Sequence, residues 1–152
     1  MFSPSNNVPD ENNSLQKAKR LQSYVGAIRE ALDQEMSSDE RVFVMGLDVD
    51  DHKAIQGSTH GLLEKYGANR IFTTPLSEDA MTGVAIGAAM AGRRPVHVHI
   101  RMDFLMLCMN QLINIAAKSH YMYGGATKVP MVVRSMIGKS WGQGAQHSQN
   151  LN

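Results

Sequence analysis

Apolar residues near the start of the chain recur every three or four positions and predict an amphipathic helix. The pattern begins near Leu15 and ends at the polar run 37–40. An apolar run over 42–45 follows and closes at Gly46. Because this run is too short for a buried helix and rich in β-formers, it predicts a strand buried on both faces. The residues of the predicted helical stripe are Leu21, Tyr24, Val25, Ile28, Leu32 and Met36.

The same alternation continues along the chain. A short helix is predicted over 59–66 and a second strand over 71–73, which Pro75 stops. Ser77 is expected to cap a helix from Glu78 to about Ala91. There follow a predicted strand over 96–100, a long apolar helix over 104–123 and a strand over 129–133. Strands that alternate with helices predict an α/β fold, with a parallel sheet covered by helices on both faces. Ligands of such sheets bind beyond the carboxyl ends of the strands.

Composition narrows the class of protein. The 152 residues are 43% hydrophobic and 19% charged, as expected of one globular domain. The net charge of +1 without a basic cluster argues against nucleic acid, and no apolar run approaches the roughly 20 residues that span a membrane. A single cysteine, Cys108, excludes a disulfide framework, as expected of a protein in the reducing cytoplasm. Its apolar neighbours predict that the thiol is buried and inert. The Asn-, Ser- and Pro-containing stretch 1–13 predicts a disordered leader before a domain over 14–152.

Glu78 is the leading candidate for chemistry. A carboxylate in the first turn of a helix is favoured by about 0.3–1 kcal/mol through the helix dipole, so a capping role is the competing interpretation. The helix behind it carries Gly83, Gly87 and several alanines, and this surface predicts close packing against another subunit. A carboxylate buried at such a contact needs a specific partner.

Ordered blocks from about Leu21 to the last residue resemble the beta subunit of the thiamine-diphosphate-dependent 2-oxo acid dehydrogenases, within the transketolase-like superfamily. The resemblance implies that this chain is the amino-terminal part of a pyrimidine-binding domain. The blocks are Ala31-Leu32-Asp33-Gln34-Glu35-Met36, Lys65-Tyr66-Gly67, Arg70-Ile71, Thr74-Pro75-Leu76-Ser77-Glu78, Gly87-Ala88-Ala89-Met90-Ala91-Gly92, Arg94-Pro95, Gln111-Leu112-Ile113-Asn114, Ala116-Ala117-Lys118, Tyr121-Met122, Gly124-Gly125 and Gln146-His147-Ser148-Gln149.

The resemblance also implies roles for four residues. Glu78 would bond N1′ of the aminopyrimidine ring of thiamine diphosphate, and Leu76 would contact the cofactor. Phe104 would stack on that ring, although core packing explains a phenylalanine there equally simply. His147 would lie near the substrate and assist acyl transfer to a lipoyl arm, where the alternative is a lone surface histidine. The histidines at 97, 99 and 120 match no functional position of the family, and the first two indicate one face of a strand.

Four features of the chain affect what the resemblance implies. Leu47 stands where members carry an acidic residue, which alters the cofactor cleft, and Arg101-Met102-Asp103 is atypical, which suggests altered substrate or partner choice. The family subunit continues well beyond this length, so an incomplete domain is expected. The chain also lacks the Gly-Asp-Gly and Asn pattern that holds Mg²⁺ and diphosphate. The resemblance therefore implies an alpha subunit that supplies this half of the site in an α2β2 assembly, and no metal ligands in this chain.

The expected activity is oxidative decarboxylation of a 2-oxo acid, with transfer of the acyl group to a lipoyl-bearing acyltransferase component. Acetoin dehydrogenase, which shares this subunit architecture, and, more distantly, transketolase-like enzymes remain alternatives. A non-catalytic pairing module of the same fold is the alternative of another class, and Leu47 and the short length favour it.

Overall fold

A four-stranded, all-parallel sheet forms the centre of the structure, a computed structural model that describes residues 21–51, 53, 55–138 and 142–151. The strands lie in the order β2-β1-β3-β4. The predicted α/β class is therefore confirmed. The predicted leader over 1–13 lies outside the described residues. The strands are β1 (Val42–Gly46), β2 (Ile71–Thr73), β3 (Arg94–His99) and β4 (Val132–Ser135).

Helices cover both faces of this sheet. Helices α1 (Tyr24–Ser38) and α2 (Leu62–Tyr66) contribute to the hydrophobic core on one face, and α3 (Glu78–Met90) packs on the other. A further helical stretch packs against α3 and is called the 102–122 helical segment. Its parts are α4 (Met102–Leu105), a 3₁₀ turn (Met106–Cys108), a π-helical stretch (Gln111–Ala116) and α5 (Ala117–Met122), and a separate 3₁₀ turn occupies Ala145–His147.

Alternation along β1 shows how the two cores are built. All five residues of this strand are buried, as its unbroken apolar run predicted. Val42 and Val44 belong to the core beneath α1 and α2, whereas Phe43 and Met45 belong to the core beneath α3. Because successive strand side chains point to opposite faces, a strand covered on both faces must be apolar throughout.

The first helix is shorter than predicted. Ser23 caps α1, since its Oγ accepts a hydrogen bond from the Gly26 N–H at 3.0 Å. Leu21 precedes the helix and is 97% exposed, and Tyr24 is 83% exposed, so these two residues are not part of the buried stripe. The predicted start near Leu15 lies outside the described residues.

Other boundaries differ for local reasons. Helix α2 begins at Leu62, three residues later than predicted, because Gly61 before it adopts a left-handed conformation with φ 73°. Strand β4 begins at Val132 because Pro130 cannot donate to the ladder and the Met131 N–H bonds the Val129 carbonyl at 2.9 Å. Strand β3 also begins earlier than predicted, at Arg94.

The prediction of one regular helix over 104–123 is wrong, because the geometry changes along this segment. The 102–122 helical segment changes from α to 3₁₀ to π geometry and back, and much of its apolar surface is open. Leu107 is 59% exposed and Ile113 is 50% exposed. None of the helices in the described parts of the chain is long and apolar enough to cross a membrane.

Gly46 allows the two central strands to approach closely at their carboxyl ends. It pairs with Val98 in the register between β1 and β3. A Cβ at this position would lie 2.2 Å from the Val98 carbonyl oxygen. Only glycine fits between the strands at this point, and the next residue, Leu47, leaves the sheet.

Candidate active site

Three neighbouring strands open onto one pocket at their carboxyl ends. The segments that follow β1, β2 and β3 line it, together with the start of α3 and a residue from the stretch 142–151. Its volume is about 190 Å³. All four residues that the resemblance assigns to the site lie in its wall, namely Leu76, Glu78, Phe104 and His147. The fold therefore brings together residues that are far apart in the sequence.

Glu78 is the first residue of α3 and lines the pocket half-buried. The Thr82 hydroxyl donates a hydrogen bond to its backbone oxygen at 2.7 Å, one turn further along the helix. No group in the described parts of the chain donates a hydrogen bond to its carboxylate. The sequence predicted that Glu78 is buried at a subunit contact, but in this chain alone it is only half-buried. Its neighbours Asp79 and Ala80 are exposed. The carboxylate can therefore accept a bond from, or share a proton with, a ligand in the pocket.

The turn before α3 presents apolar surface to the same pocket. Ser77 occupies the N-cap position that the sequence predicted, but its side chain makes no capping hydrogen bond. Leu76 is 73% exposed and Leu47, from the turn after β1, is half-buried. Both side chains line the pocket. An apolar group in a ligand would gain contact area from them.

Phe104 and His147 meet at the pocket wall. Their ring centroids lie 5.1 Å apart, with the planes at 80°. Phe104 belongs to α4, and His147 belongs to the 3₁₀ turn near the other end of the described chain. Each ring is half-buried, so Phe104 is not a core residue and His147 is not a lone surface histidine. An edge-to-face pair of this kind leaves part of each ring available to a ligand.

The sequence did not assign His97 and His99 to the site, although both line the pocket from β3. They are 2% and 4% exposed, and their rings meet edge to face at 4.3 Å. Burial, and secondarily the neighbouring His97, lower the pKa of His99 to about 4. Burial also lowers the pKa of His97, against an opposing effect of the Met45 carbonyl. Both imidazoles are therefore neutral at pH 7. Their alternation at the carboxyl end of a predicted strand was the available signal.

A short chain of hydrogen bonds connects His97 to the start of α3. Nε2 of His97 lies 3.1 Å from Oγ1 of Thr82, and that hydroxyl gives its only proton to the Glu78 backbone oxygen. The other ring nitrogen, Nδ1, faces the Met45 carbonyl oxygen at 3.4 Å, so the ring lies between an oxygen of β1 and an oxygen of α3. The buried histidine thus helps to fix the helical turn that carries Glu78.

Cys108 lies behind the histidines, away from the pocket lining. Its Sγ is 3.9 Å from Nε2 of His99 and 3.1 Å from the Leu105 carbonyl oxygen. Burial raises the pKa of the thiol, which opposes formation of a reactive thiolate. The predicted burial of this cysteine is confirmed.

The pocket suits an aminopyrimidine ring but not a diphosphate. Glu78 offers a carboxylate and Phe104 offers an aromatic ring, which are complementary to a ring nitrogen and a flat heterocycle. Arg101 is the only lysine or arginine among the described residues that line the pocket, and it bonds Gln143 and the Ile100 carbonyl. In the described parts of the chain, no three His, Cys, Asp or Glu residues are arranged to hold a metal ion.

A parallel α/β sheet with a carboxylate and an aromatic pair at its carboxyl edge defines a class of cofactor-binding domain. The chain belongs to the family of transketolase pyrimidine-binding domains, because the family model "Transketolase, pyrimidine binding domain" matches residues 21–151.

Two of the most similar relatives are beta subunits of pyruvate dehydrogenase E1. The pyruvate dehydrogenase E1 component subunit beta-1, mitochondrial, of Arabidopsis thaliana is 46% identical over 123 residues, which are 81% of this chain and 34% of that protein. The corresponding beta subunit of Rickettsia bellii is 43% identical over 124 residues, which are 82% of this chain and 38% of that protein. The resemblance indicated by the sequence motifs is therefore confirmed. The chain spans a little over a third of the length of these relatives.

Proposed function

We propose that this chain is the pyrimidine-binding part of the beta subunit of a thiamine-diphosphate-dependent 2-oxo acid dehydrogenase. The enzyme decarboxylates a 2-oxo acid oxidatively and transfers the acyl group to a lipoyl-bearing acyltransferase component. The observation that carries the proposal is the convergence of Glu78, Phe104 and His147 on one pocket at the carboxyl edge of the sheet. The identity of 43–46% to pyruvate dehydrogenase beta subunits supports the same reaction class.

Glu78 holds and moves a proton in this proposal. Its carboxyl group would share a proton with N1′ of the aminopyrimidine, where no described residue competes as a donor. The start of α3 fixes the position of the carboxylate, because the Thr82 hydroxyl and His97 tie the first helical turn to β3. A carboxyl group held at this atom serves as the acid and base of cofactor activation.

The other lining residues orient the reactants. Thiamine diphosphate, when bound, supplies the nucleophilic carbon and the electron sink for decarboxylation. Phe104 would stack on the aminopyrimidine, and Leu76 would cover one side of it and exclude water. His147, at the wall beside Phe104, would donate or accept a proton during acyl transfer to the lipoyl arm.

An alpha subunit completes the site in this proposal. Among the described residues, the pocket wall lacks a set of oxygen ligands for Mg²⁺ and a group of cations for diphosphate, and in this proposal the alpha subunit holds both. The open face of α3 offers a surface for such a partner, because Gly87 and Ala91 leave it flat and Val84 is 53% exposed. An α2β2 assembly would bury this face.

The test is a glutamate-to-glutamine change in the assembled enzyme. The beta subunit is coexpressed with its alpha subunit, and release of CO₂ from several 2-oxo acids is measured with thiamine diphosphate and Mg²⁺. Glu78→Gln should lower turnover by a factor of at least about 10², because glutamine cannot exchange a proton with N1′. Asp79→Asn, one residue along the same helix, is the control and should retain activity.

Two outcomes would contradict the proposal in different ways. Turnover that survives Glu78→Gln would remove the proton-transfer role of this carboxyl group. An assembled wild-type enzyme that decarboxylates no 2-oxo acid would favour the non-catalytic pairing module. Activity with acetoin rather than with 2-oxo acids would identify the related acetoin-cleaving class.

A further inference from the structure

The stretch 142–151 carries His147 and contacts three residues at the pocket, namely Arg101, Asp103 and Phe104. Nε of Arg101 donates a hydrogen bond to Oε1 of Gln143 at 3.1 Å. Oδ1 of Asp103 accepts one from the Gln149 backbone N–H at 3.2 Å. Between these two attachments lies the ring contact of Phe104 with His147. The stretch is thus held before, at and after the histidine.

The stretch has little of its own to hold it in place. Residues 142–146 are all exposed, and both Gly142 and Gly144 adopt positive φ angles, 70° and 67°. A Cβ at either glycine would have no neighbour within 4 Å. Glycines without packing contacts restrain a backbone weakly. The orientation of His147 therefore depends on bonds made to the stretch from outside.

The start of the 102–122 helical segment is itself firmly placed. The Met102 N–H donates to the Met136 carbonyl oxygen at 2.8 Å, just beyond β4. The second bond of Arg101, from Nη1 to the Ile100 carbonyl oxygen at 3.0 Å, fixes its guanidinium beside β3. Because Arg101 and Asp103 are fixed next to the sheet edge, their hydrogen bonds fix the stretch 142–151 relative to that edge.

We propose that Arg101 and Asp103 are positioning residues that hold His147 against Phe104 for acyl transfer to the lipoyl arm. The inference rests on the proposed function. Each residue acts through the stretch 142–151 rather than on the reacting atoms, and together they form a two-point clamp. The clamp is defined by the Arg101–Gln143 and Asp103–Gln149 hydrogen bonds.

Each hydrogen bond of the clamp can be tested with its own set of variants. Gln143→Ala removes the first bond alone, whereas Arg101→Ala removes it together with the other contacts of the guanidinium. With Arg101 already replaced, Gln143→Ala has no bond to Arg101 left to remove. Asp103→Ala removes the second bond, whereas Asp103→Asn keeps an oxygen that can accept from the Gln149 N–H. Lys128→Gln removes an exposed cation elsewhere and controls for the loss of charge.

Two rates are measured on the assembled enzyme: decarboxylation with an artificial electron acceptor, and acylation of a purified lipoyl domain. Arg101→Ala and Asp103→Ala should each lower lipoyl acylation roughly threefold to tenfold more than decarboxylation, in line with one lost hydrogen bond. Asp103→Asn should restore the rate. The double variant with Gln143→Ala should match Arg101→Ala. Equal losses in both rates, or a double variant far worse than either single one, would overturn the clamp.

A spectroscopic readout tests the clamp without activity. In enzyme carrying ¹³C-labelled histidine, the His147 ring signal is assigned by its loss in His147→Gln. The Phe104 ring shifts that signal, and Phe104→Leu shows its position without the ring. Arg101→Ala and Asp103→Ala should move the signal toward the Phe104→Leu position, and Asp103→Asn should return it. An unmoved signal would overturn the clamp, whereas a moved signal in an enzyme without decarboxylase activity would refute only the proposed function.

Discussion

Phe104 and His147 form an edge-to-face pair with ring centroids 5.1 Å apart, and the pair closes one side of the pocket that Glu78 enters. One ring comes from α4 and the other from the 3₁₀ turn over 145–147. A change in either ring therefore affects the shape of the pocket and the orientation of its partner. This coupling makes Phe104 the natural residue for a first test.

Replacing Phe104 by leucine keeps apolar bulk but removes the aromatic face. Stacking adds about 0.5–1.5 kcal/mol beyond burial, so the dissociation constant for thiamine diphosphate should rise roughly twofold to tenfold. The measurement is a cofactor titration of the assembled enzyme. Phe72→Leu is the control, since Phe72 stacks on Phe43 at 5.7 Å and does not line the pocket. Unchanged cofactor affinity in Phe104→Leu would show that Phe104 does not stack on the ring.

Gly87→Ala separates the stability of the chain from its assembly. Gly87 lies on the exposed face of α3, and a Cβ there would meet nothing within 4 Å. Alanine in a helix interior is favoured over glycine by about 0.5–1 kcal/mol, so the chain alone should unfold at a higher urea concentration. If the proposed partner packs closely on this face, the same change should weaken heteromer formation, measured by analytical ultracentrifugation.

Asp50→Ala provides the control for Gly87→Ala, because Asp50 is exposed in the turn after β1 and does not belong to α3. It should leave assembly unchanged. Assembly of Gly87→Ala with the affinity of the wild type would mean that this face of α3 is not in close contact with a partner.

Sequence patterns predicted the elements that follow from burial and missed details that depend on neighbouring strands. The unbroken apolar run at β1 could be assigned because both faces of that strand are covered. The start of β4 could not, because its register is fixed by pairing of Val132 with Val96 beyond a proline. The irregular 102–122 helical segment has no local sequence signal that separates π from α geometry.

In the candidate site, too, some residues could be predicted from the sequence and others could not. Glu78, Leu76, Phe104 and His147 were found through motifs, and the fold places all four in one pocket. His97 and His99 were not assigned because an alternating pair in a strand looks the same whether it faces a core or a cleft. Their burial depends on α3 and on Cys108, whose packing against β3 no strand pattern predicts.

Gly46→Ala should lower stability more than a glycine change elsewhere. The new Cβ would lie 2.2 Å from the Val98 carbonyl oxygen, so β1 and β3 must separate. Overpacking of this kind costs about 1–3 kcal/mol and occasionally more. Gly92→Ala is the control, since Gly92 has φ 90° but no atom within 4 Å of the added Cβ. Urea unfolding measures both, and a loss for Gly46→Ala no larger than for the control would contradict the close approach of the strands.

The buried histidines should make the protein sensitive to mild acid. Burial and the nearby His97 lower the pKa of His99 from 6.5 to about 4. Between these values the unfolded chain binds a proton that the folded imidazole does not, so stability is complete above pH 6.5 and falls as the pH drops toward 4. One such group contributes a slope of up to about 1.4 kcal/mol per pH unit. His97 acts in the same direction, because burial lowers its pKa as well.

His99→Leu tests this dependence. The variant lacks the titrating group, so its free energy of unfolding, measured by urea denaturation from pH 7 to pH 4.5, should fall less steeply with acid than that of the wild type. Its stability at pH 7 can move in either direction, because leucine fills the site differently, and only the slope is diagnostic. His120→Gln, a change at an exposed histidine, is the matched control for the loss of one imidazole. Parallel curves for His99→Leu and the wild type would show that His99 is protonated in the folded protein over the same pH range as in the unfolded chain.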